Sequence, residues 1–250
     1  MPNRMDRGFY QYQEEFEQKA IEVLRSGWYI LGNEVKEFEK EFASYTGAKH
    51  CVGLANGLDA LWIAFRILGI GPGDEVLVQG NTYIASVMGI TMNGATPIFI
   101  VPDEYFNIDT KKLEEKITDK TKMIVPVHIG GYPVDMDPIM ELAKKHNILV
   151  LEDAAHAFGA MYKGRKIGTI GDFAAFSMHE VKNITSFGEG GIASTNIPGF
   201  GDEMKRARFL RLDFSCPIKD WLYNITPIKG KEHPFVPGNA STTEIQGLGL

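Results

Sequence analysis

Short apolar runs alternate with helical stretches through the first 153 residues of this 250-residue chain, and this alternation constrains the fold most. The predicted strands read HCVGLA, DEVLVQG, TPIFIV, KMIVPVH and ILVLED, and the helical segments between them read LDALWIAFRILG, YIASVMGITMNG, KKLEEKIT and DPIMELAKKHN. Strand–helix–strand alternation with short Gly/Pro joints is typical of a parallel sheet covered on both faces. The sequence therefore predicts an α/β domain with a mostly parallel central sheet and helices on both faces.

Outside this series the pattern differs at both ends of the chain. Two amphipathic helices are predicted first, over residues 14–27 and 33–47. After Asp153 the sequence GAMYKGRKIG predicts a hairpin, DFAAFSM and GGIASTN predict strands, and DEMKRARFLR predicts a helix. No periodicity survives beyond position 213. We predict an N-terminal arm and helix at 1–33, a large domain at 34–212, and an irregular segment at 213–250.

Composition excludes several classes of protein. Apolar residues make up 44% and charged residues 23%, which is typical of a globular chain and not of a disordered or fibrous one. The net charge is −6 and the basic residues are scattered, so a nucleic-acid partner is not expected. No apolar run is long enough to cross a membrane, and the N-terminus lacks a signal-peptide pattern. Two cysteines without a CxxC motif predict neither a disulfide framework nor a metal site, and they fit a cytoplasmic protein.

Two short motifs follow predicted strands, where open α/β sheets bind their ligands. The first, ANGLDAL, lies between a predicted strand and a predicted helix, and free N–H groups at a helix start suit a phosphate. An ordinary N-cap turn is the alternative. The second, EDAAH, follows the most apolar strand and offers Asp153 to a cationic ring nitrogen. The alternative for this aspartate is a structural role in capping a helix.

Two further motifs offer a nucleophile and an aromatic ring. Lys182 in FSMHEVKN lies between a predicted strand and the glycine-rich GEGG, where a desolvated lysine can act as a nucleophile. The alternative is a solvated surface lysine. Tyr83 in NTY could cover the face of a flat cofactor, or else be an ordinary core or surface tyrosine.

In order and combination, these motifs resemble fold-type I enzymes that depend on pyridoxal 5'-phosphate. More narrowly, they resemble the DegT/DnrJ/EryC1/StrS family of sugar aminotransferases. The resemblance runs from about Gly27 through EDAAHAFGA, FSMHEVKN and GEGG into the final GNASTTEIQ. It implies that the predicted large domain binds pyridoxal phosphate, and that the chain ends where a small C-terminal domain would begin, so we expect that domain to be largely absent.

The resemblance implies a role for each matching residue. Lys182 stands where the family's lysine binds the cofactor aldehyde and later carries a proton, and Asp153 stands opposite the ring nitrogen. His156 corresponds to the residue beside the ring's phenolic oxygen, and Tyr83 to the aromatic stacked on the ring. The implied phosphate ligands are Gly57, Leu58, Asp59 and Ser177, together with Asn239, which would reach the cofactor phosphate of a neighbouring subunit.

The function that the resemblance implies is transfer of an amino group from L-glutamate to a nucleotide-linked keto-deoxy sugar by a homodimer. The wording NGLDAL is similar to that of enzymes that aminate the 3-position of dTDP-linked sugars. Two alternatives are a pyridoxal-phosphate-dependent sugar dehydratase of the same family and a truncated, catalytically inactive homologue.

Two positions depart from the family pattern. Ser241 replaces the usual arginine of the GNASTTE stretch and removes a bidentate anion contact. His128, at the end of the predicted strand KMIVPVH, is expected to point toward the site, either as a substrate contact or as a structural histidine.

Overall fold

The computed structural model describes residues 6–209, and it begins with three helices that lie before the first strand. Helix α1 spans Asp6–Gln11, α2 spans Gln13–Ser26 and α3 spans Asn33–Thr46. Both α2 and α3 end at a glycine in the left-handed region, Gly27 with φ +69° and Gly47 with φ +85°. Glycine adopts this conformation without the steric cost of a side chain, so both predicted helices end where their glycines occur.

The rest of the described chain forms nine strands and four helices. In chain order these are β1 (His50–Leu54), α4 (Gly57–Ile67), β2 (Glu75–Gln79), α5 (Ile84–Thr91), β3 (Thr96–Ile100), β4 (Thr121–Val125), α6 (Met136–His146), β5 (Leu149–Asp153), β6 (Met161–Tyr162), β7 (Arg165–Lys166), β8 (Phe173–Ser177), β9 (Gly191–Thr195) and α7 (Phe200–Ala207). The pair β6–β7 is the predicted hairpin.

Seven of these strands form one sheet in the order β1-β9-β8-β5-β4-β2-β3. Strand β9 is antiparallel to both of its neighbours, and the other pairs are parallel, which confirms the predicted mostly parallel sheet. β9 is reversed because the chain returns from β8 through a loop at 178–190 and not through a crossover helix. That loop therefore lies at the sheet edge where the parallel strands β5 and β8 end.

Two apolar cores, one on each face of the sheet, hold the helices in place. On one face Phe42 of α3 and Ile139 of α6 pack with Ile124 of β4. On the other face Phe65 of α4 and Ile90 of α5 share a core with two residues of β4. These are Met123 and Val125, which lie on either side of Ile124 in the strand. Successive strand residues point to opposite faces, so a strand buried on both sides is apolar throughout. Helices on both faces are confirmed.

One predicted helix is wrong. The segment KKLEEKIT forms two short 3₁₀ turns, Thr110–Lys112 and Glu114–Lys116. Its side chains are mostly charged, and Leu113 is the residue that it buries fully. Ile117 also packs against the core but is only partly buried, and two apolar residues do not make the continuous stripe that stabilises an α-helix.

Some predictions lie outside the described residues. These are the irregular segment at 213–250, Asn239 and Ser241. The division into an arm at 1–33 and a large domain at 34–212 also stays a prediction. Within residues 6–209, no helix is both long enough and apolar enough to cross a membrane.

Candidate active site

A cavity of about 570 Å³ opens at the sheet edge where β5 and β8 end. The starts of α4 and α5, the chain after β5, and the loop after β8 form its walls. Open α/β sheets bind ligands at this edge, beyond the carboxyl ends of their strands. Seven of the residues that the sequence singled out line this cavity: Gly57, Leu58, Tyr83, Asp153, His156, Ser177 and Lys182.

The start of α4 presents backbone donors to the cavity. Asn56 caps the helix, and its side-chain oxygen accepts the N–H of Asp59 at 2.8 Å. The cap pairs Asp59 and not the N–H groups of Gly57 and Leu58. These two belong to the first turn, whose donors have no partner within the helix. Both residues line the cavity, so this helix start suits a phosphate.

Glycine is required where α4 meets β8 and β9. A Cβ placed on Gly57 would lie 2.8 Å from Cβ and 3.1 Å from Cα of Ser177. A Cβ on Gly191 would lie 2.2 Å from the carbonyl oxygen of Asn56. These contacts bring the helix start against Ser177, so the hydroxyl and the backbone donors share one corner of the cavity.

Replacing Gly57 with alanine is expected to push the start of α4 away from Ser177. We expect a loss of about 1–3 kcal/mol in the free energy of unfolding, measured with urea, because overpacking forces the backbone to shift. Pyridoxal phosphate should also bind at least tenfold more weakly in a fluorescence titration. Gly71→Ala is the matched control, since its Cβ would meet no atom closer than 3.6 Å. Equal cofactor affinity in the two variants would contradict a phosphate site here.

Asp59 does not line the cavity, and its predicted contact with phosphate is not supported by its position. Its carboxylate accepts the indole N–H of Trp62 at 2.7 Å and lies 3.3 Å from the side-chain nitrogen of Asn56. Burial raises the pKa of Asp59, and the bond from Trp62 partly opposes this effect. A side chain at the third helical position reaches back to the cap, so Asp59 stabilises the helix start.

Asp153 is a buried carboxylate in the cavity wall with a fixed orientation. The hydroxyl of Ser86 donates to its Oδ2 at 2.6 Å, and the N–H of Ala155 donates to its Oδ1 at 3.2 Å. Its backbone N–H donates to the carbonyl of Pro126 at 2.9 Å. These two donors fix the orientation of the carboxylate, and its remaining lone pairs can accept from a cation in the cavity.

Lys182 lines the cavity from the loop after β8. Its backbone N–H donates to the carbonyl of His179 at 2.9 Å, and this turn places the residue at the cavity. Burial lowers the pKa of the Lys182 amine, and the charge of Asp153 partly opposes the shift. A lowered pKa increases the fraction of neutral amine, which is the nucleophilic form.

His156 lines the same cavity with a defined tautomer. Burial lowers its pKa, the positive charge of Lys182 lowers it further, and Asp153 raises it. The N–H of Gly130 donates to Nδ1 at 3.3 Å, so the ring proton of the neutral imidazole lies on Nε2. Its Nε2–H remains as the donor for a ligand oxygen.

Tyr83 is at the rim of the cavity. It occupies the N-cap position of α5, and 71% of its surface is exposed. The ring is therefore free to cover a flat group bound below it, and its predicted stacking role stays a prediction.

His128 does not point toward the cavity, and the structure supports its structural alternative. The residue is fully buried, and its Nε2 lies 3.3 Å from Oε2 of Glu152. Its Nδ1 accepts the N–H of Val134 at 3.0 Å, so the proton on Nε2 is donated to Glu152. The cavity is instead lined by the two neighbours, Val127 and Ile129, because alternate residues of an extended chain face opposite sides.

Glu152 ties this buried pair to the loop before β8. Its carboxylate accepts N–H groups from Gly168 at 3.0 Å, Ile170 at 2.8 Å and Gly171 at 2.7 Å. Burial raises the pKa of Glu152, but the bonds from His128 and the backbone outweigh burial, so the pKa lies below the ordinary value of a glutamate. A carboxylate whose pKa is lower in the folded state than in the unfolded state stabilises the fold at pH values above the unfolded-state pKa. This stabilisation is lost as the pH falls through the folded-state pKa.

Glu152→Gln is expected to lower the free energy of unfolding by about 3 kcal/mol at pH 7, because its amide group would face two donors. The difference from the unchanged chain should shrink as the pH falls below 4.5. Urea unfolding at several pH values measures this difference, and exposed Glu41→Gln is the control. A difference that stays constant down to the acid limit would contradict the buried charge.

Two residues with hydroxyl side chains and one apolar wall of the cavity were not predicted from the sequence. Ser86 is hydrogen-bonded to Asp153, and Thr82 is hydrogen-bonded to Ser86. Thr82 also lines the cavity, as do the apolar residues Leu61, Met88 and Val127. Ser86 had one available signal, because it is a polar residue in the first turn of an otherwise apolar helix. Its partner, however, lies 67 residues away in the chain.

Comparison with known proteins agrees with this geometry. The chain is 53% identical over 186 residues to the dTDP-3-amino-3,6-dideoxy-alpha-D-galactopyranose transaminase of Aneurinibacillus thermoaerophilus, a match that covers 74% of this chain and 51% of that protein. It is 45% identical over 216 residues to the GDP-perosamine synthase of Caulobacter vibrioides, covering 84% of this chain and 58% of that protein. The chain thus spans about half the length of these curated relatives.

Solved structures match most of this chain. The X-ray structure of S. venezuelae DesV in complex with a ketimine intermediate matches with a TM-score of 0.87 and 37% identity, covering 98% of this chain and 62% of that one. An aminotransferase from Psychrobacter cryohalolentis matches with a TM-score of 0.85 and 37% identity, covering 94% and 60%. These matches confirm the predicted fold class, the α/β large domain of fold-type I enzymes. The model of the DegT/DnrJ/EryC1/StrS aminotransferase family matches residues 10–213, and the chain belongs to this family.

Proposed function

We propose that this chain binds pyridoxal phosphate and transfers an amino group from L-glutamate to the keto group of a nucleotide-linked deoxy sugar. The observation that carries the proposal is one cavity lined by the amine of Lys182, the carboxylate of Asp153 and the start of α4. An amine, an opposed carboxylate and a phosphate seat are the groups that this cofactor requires.

The residues present fit the cofactor. The close approach of Gly57 to Ser177 leaves a corner with two backbone N–H groups and a hydroxyl for the phosphate. The carboxylate of Asp153 is held in place by two donors and would accept a hydrogen bond from the protonated ring nitrogen. The free Nε2–H of His156 would donate to the phenolic oxygen, and Tyr83 would cover the ring. When bound, pyridoxal phosphate supplies an electron sink for the carbanion at the reacting carbon.

Lys182 has two tasks in this proposal. Its Nζ would hold the cofactor through the aldehyde, with loss of water, and the same amine, once free, would carry a proton between two carbon atoms. Its lowered pKa favours both tasks, because a neutral amine can attack a carbonyl and accept a proton. Asp153 holds a positive charge in place throughout, and the apolar wall of Leu61, Met88 and Val127 restricts water.

The substrate class rests on the named relatives. Two of them carry the names of a dTDP-sugar transaminase and a GDP-sugar synthase, so both are named for nucleotide-linked sugars. The NGLDAL motif supports the 3-keto position of a dTDP-sugar. We propose L-glutamate as the donor and a cytoplasmic location from the sequence.

An apolar surface beside the cavity supports the proposed homodimer. Ile84, Met88 and Met92 follow one another at four-residue spacing on and just after α5, and they are 56%, 39% and 54% exposed. Residues spaced in this way lie on one face of a helix. A second copy that covers this face would bring its own chain to the cavity rim, where Asn239 of that copy is proposed to contact the phosphate.

Transfer of labelled nitrogen tests the proposed function. The full chain with pyridoxal phosphate, [¹⁵N]glutamate and a dTDP-linked 3-keto-6-deoxy sugar is expected to give a ¹⁵N-amino sugar and 2-oxoglutarate, detected by mass spectrometry. Loss of water from the sugar without nitrogen transfer would indicate the dehydratase. Cofactor binding without either product would indicate an inactive homologue.

A further inference from the structure

Two hydroxyl groups are linked in series to Asp153, and the outer one, that of Thr82, belongs to a residue that itself lines the cavity. The Oγ of Ser86 is 2.6 Å from Oδ2 of Asp153, and the Oγ1 of Thr82 is 2.7 Å from the same Oγ. Ser86 is 1% exposed and Asp153 is 5% exposed, so both groups are shielded from bulk water and find their hydrogen-bond partners within the protein. Ser86 lies in the first turn of α5, Thr82 lies just before that helix, and Asp153 is the last residue of β5.

The direction of the hydrogen bonds follows from the carboxylate. An ionised carboxylate can only accept, so Ser86 must donate its single proton to Oδ2. The hydroxyl of Ser86 is then left to accept, and Thr82 is its donor. The chain Thr82 → Ser86 → Asp153 therefore has one polarity, and each bond polarises and strengthens the next.

This relay fixes the plane of the carboxylate. With the N–H of Ala155 on Oδ1 and Ser86 on Oδ2, each oxygen has one protein donor. Rotation of the carboxylate would break both bonds, and a buried oxygen that loses its donor costs free energy. The lone pairs that remain on Asp153 are the ones available to a cation in the cavity that it lines.

We infer that Ser86 and Thr82 are positioning residues that act on the cofactor ring nitrogen through Asp153. The inference rests on the proposed function, because it needs pyridoxal phosphate as the group that Asp153 faces. If instead the two hydroxyls only fasten α5 to the sheet, their loss would weaken every ligand of the cavity equally.

A pair of ligands separates these two roles. Pyridoxal phosphate has a ring nitrogen, and 1-deazapyridoxal phosphate has a C–H group in its place. The Kd of the deaza compound divided by the Kd of pyridoxal phosphate therefore reports on the contact with Asp153. In Ser86→Ala this ratio is expected to fall about tenfold, since a hydrogen bond to the carboxylate is lost. Ser86→Thr keeps the hydroxyl and should keep the ratio within about twofold.

Thr82→Val gives a second test that does not depend on a fully buried position, because Thr82 is only partly buried. It removes the outer hydroxyl at nearly constant volume, and we expect the ratio to fall about threefold. If Ser86→Ala does not fold, as judged by circular dichroism, Thr82→Val decides the question.

The outcomes are distinct. A folded Ser86→Ala variant whose ratio is unchanged or higher overturns the relay and leaves the proposed function intact. A wild-type chain that binds neither compound overturns the proposed function, and the relay with it.

Discussion

Lys182→Ala is expected to abolish amino transfer, with a fall in turnover of at least about 10³-fold. The reason is that one amine serves both to bind the cofactor aldehyde and to move the proton, and general acid–base catalysis alone contributes about 10²–10⁴-fold. The visible absorbance band of the lysine-bound cofactor should be missing from the variant. Steady-state formation of 2-oxoglutarate and the absorbance spectrum measure the two effects.

The control for this variant is Lys122→Ala, which removes an exposed lysine of β4 far along the sheet from the cavity. It should keep the activity and the spectrum of the unchanged chain. Non-covalent binding through the phosphate corner should survive in Lys182→Ala, since Gly57 and Ser177 are untouched. Normal turnover by Lys182→Ala would remove the central assignment.

Asp153→Asn is expected to slow proton abstraction by about 10²- to 10³-fold, the usual cost of losing one preorganised charged contact. The side chain keeps its size, and Ser86 can still donate to the amide oxygen. The amide nitrogen would face the N–H of Ala155, so we expect a loss of about 1 kcal/mol in stability with the fold preserved. Cofactor affinity should fall only about tenfold, because the phosphate seat and Lys182 remain. Single-turnover reactions with glutamate and with [2-²H]glutamate measure the proton-transfer step.

Asp119→Asn is the matched control, because it removes an exposed carboxylate of the turn before β4. It should show the rate of the unchanged chain. A rate for Asp153→Asn within about threefold of that control would show that the charge does not assist proton abstraction, since the expected loss is far larger.

The fold could be predicted from the sequence because its elements differ in period and have clear ends. Gly27 and Gly47 end α2 and α3, and the nearly continuous apolar run at 148–151 marks a strand buried on both faces. The segment KKLEEKIT at 111–118 was predicted as a helix because its charged residues suit one, but most of its side chains are exposed and it forms short 3₁₀ turns. The reversed direction of β9 depends on the path of the loop at 178–190, and the spacing of apolar and polar residues does not predict that path.

The site could be predicted only in part. Lys182, Asp153 and Gly57 lie in recognisable motifs that follow strands, and the cavity brings them together. The place of His128 was predicted wrongly, although its apolar neighbours Val127 and Ile129 already indicated that it faces the other side of the chain. The contact between Ser86 and Asp153 joins residues 67 positions apart, and local pattern carries no information about it.

Covalent attachment of the cofactor tests the central claim most directly. The full chain is incubated with pyridoxal phosphate, reduced with borohydride, digested and mapped by peptide mass. We predict that the reduced cofactor lies on the peptide that contains Lys182 and on no other lysine of the chain. Attachment to a different lysine, or none at all after saturating cofactor, would contradict the account.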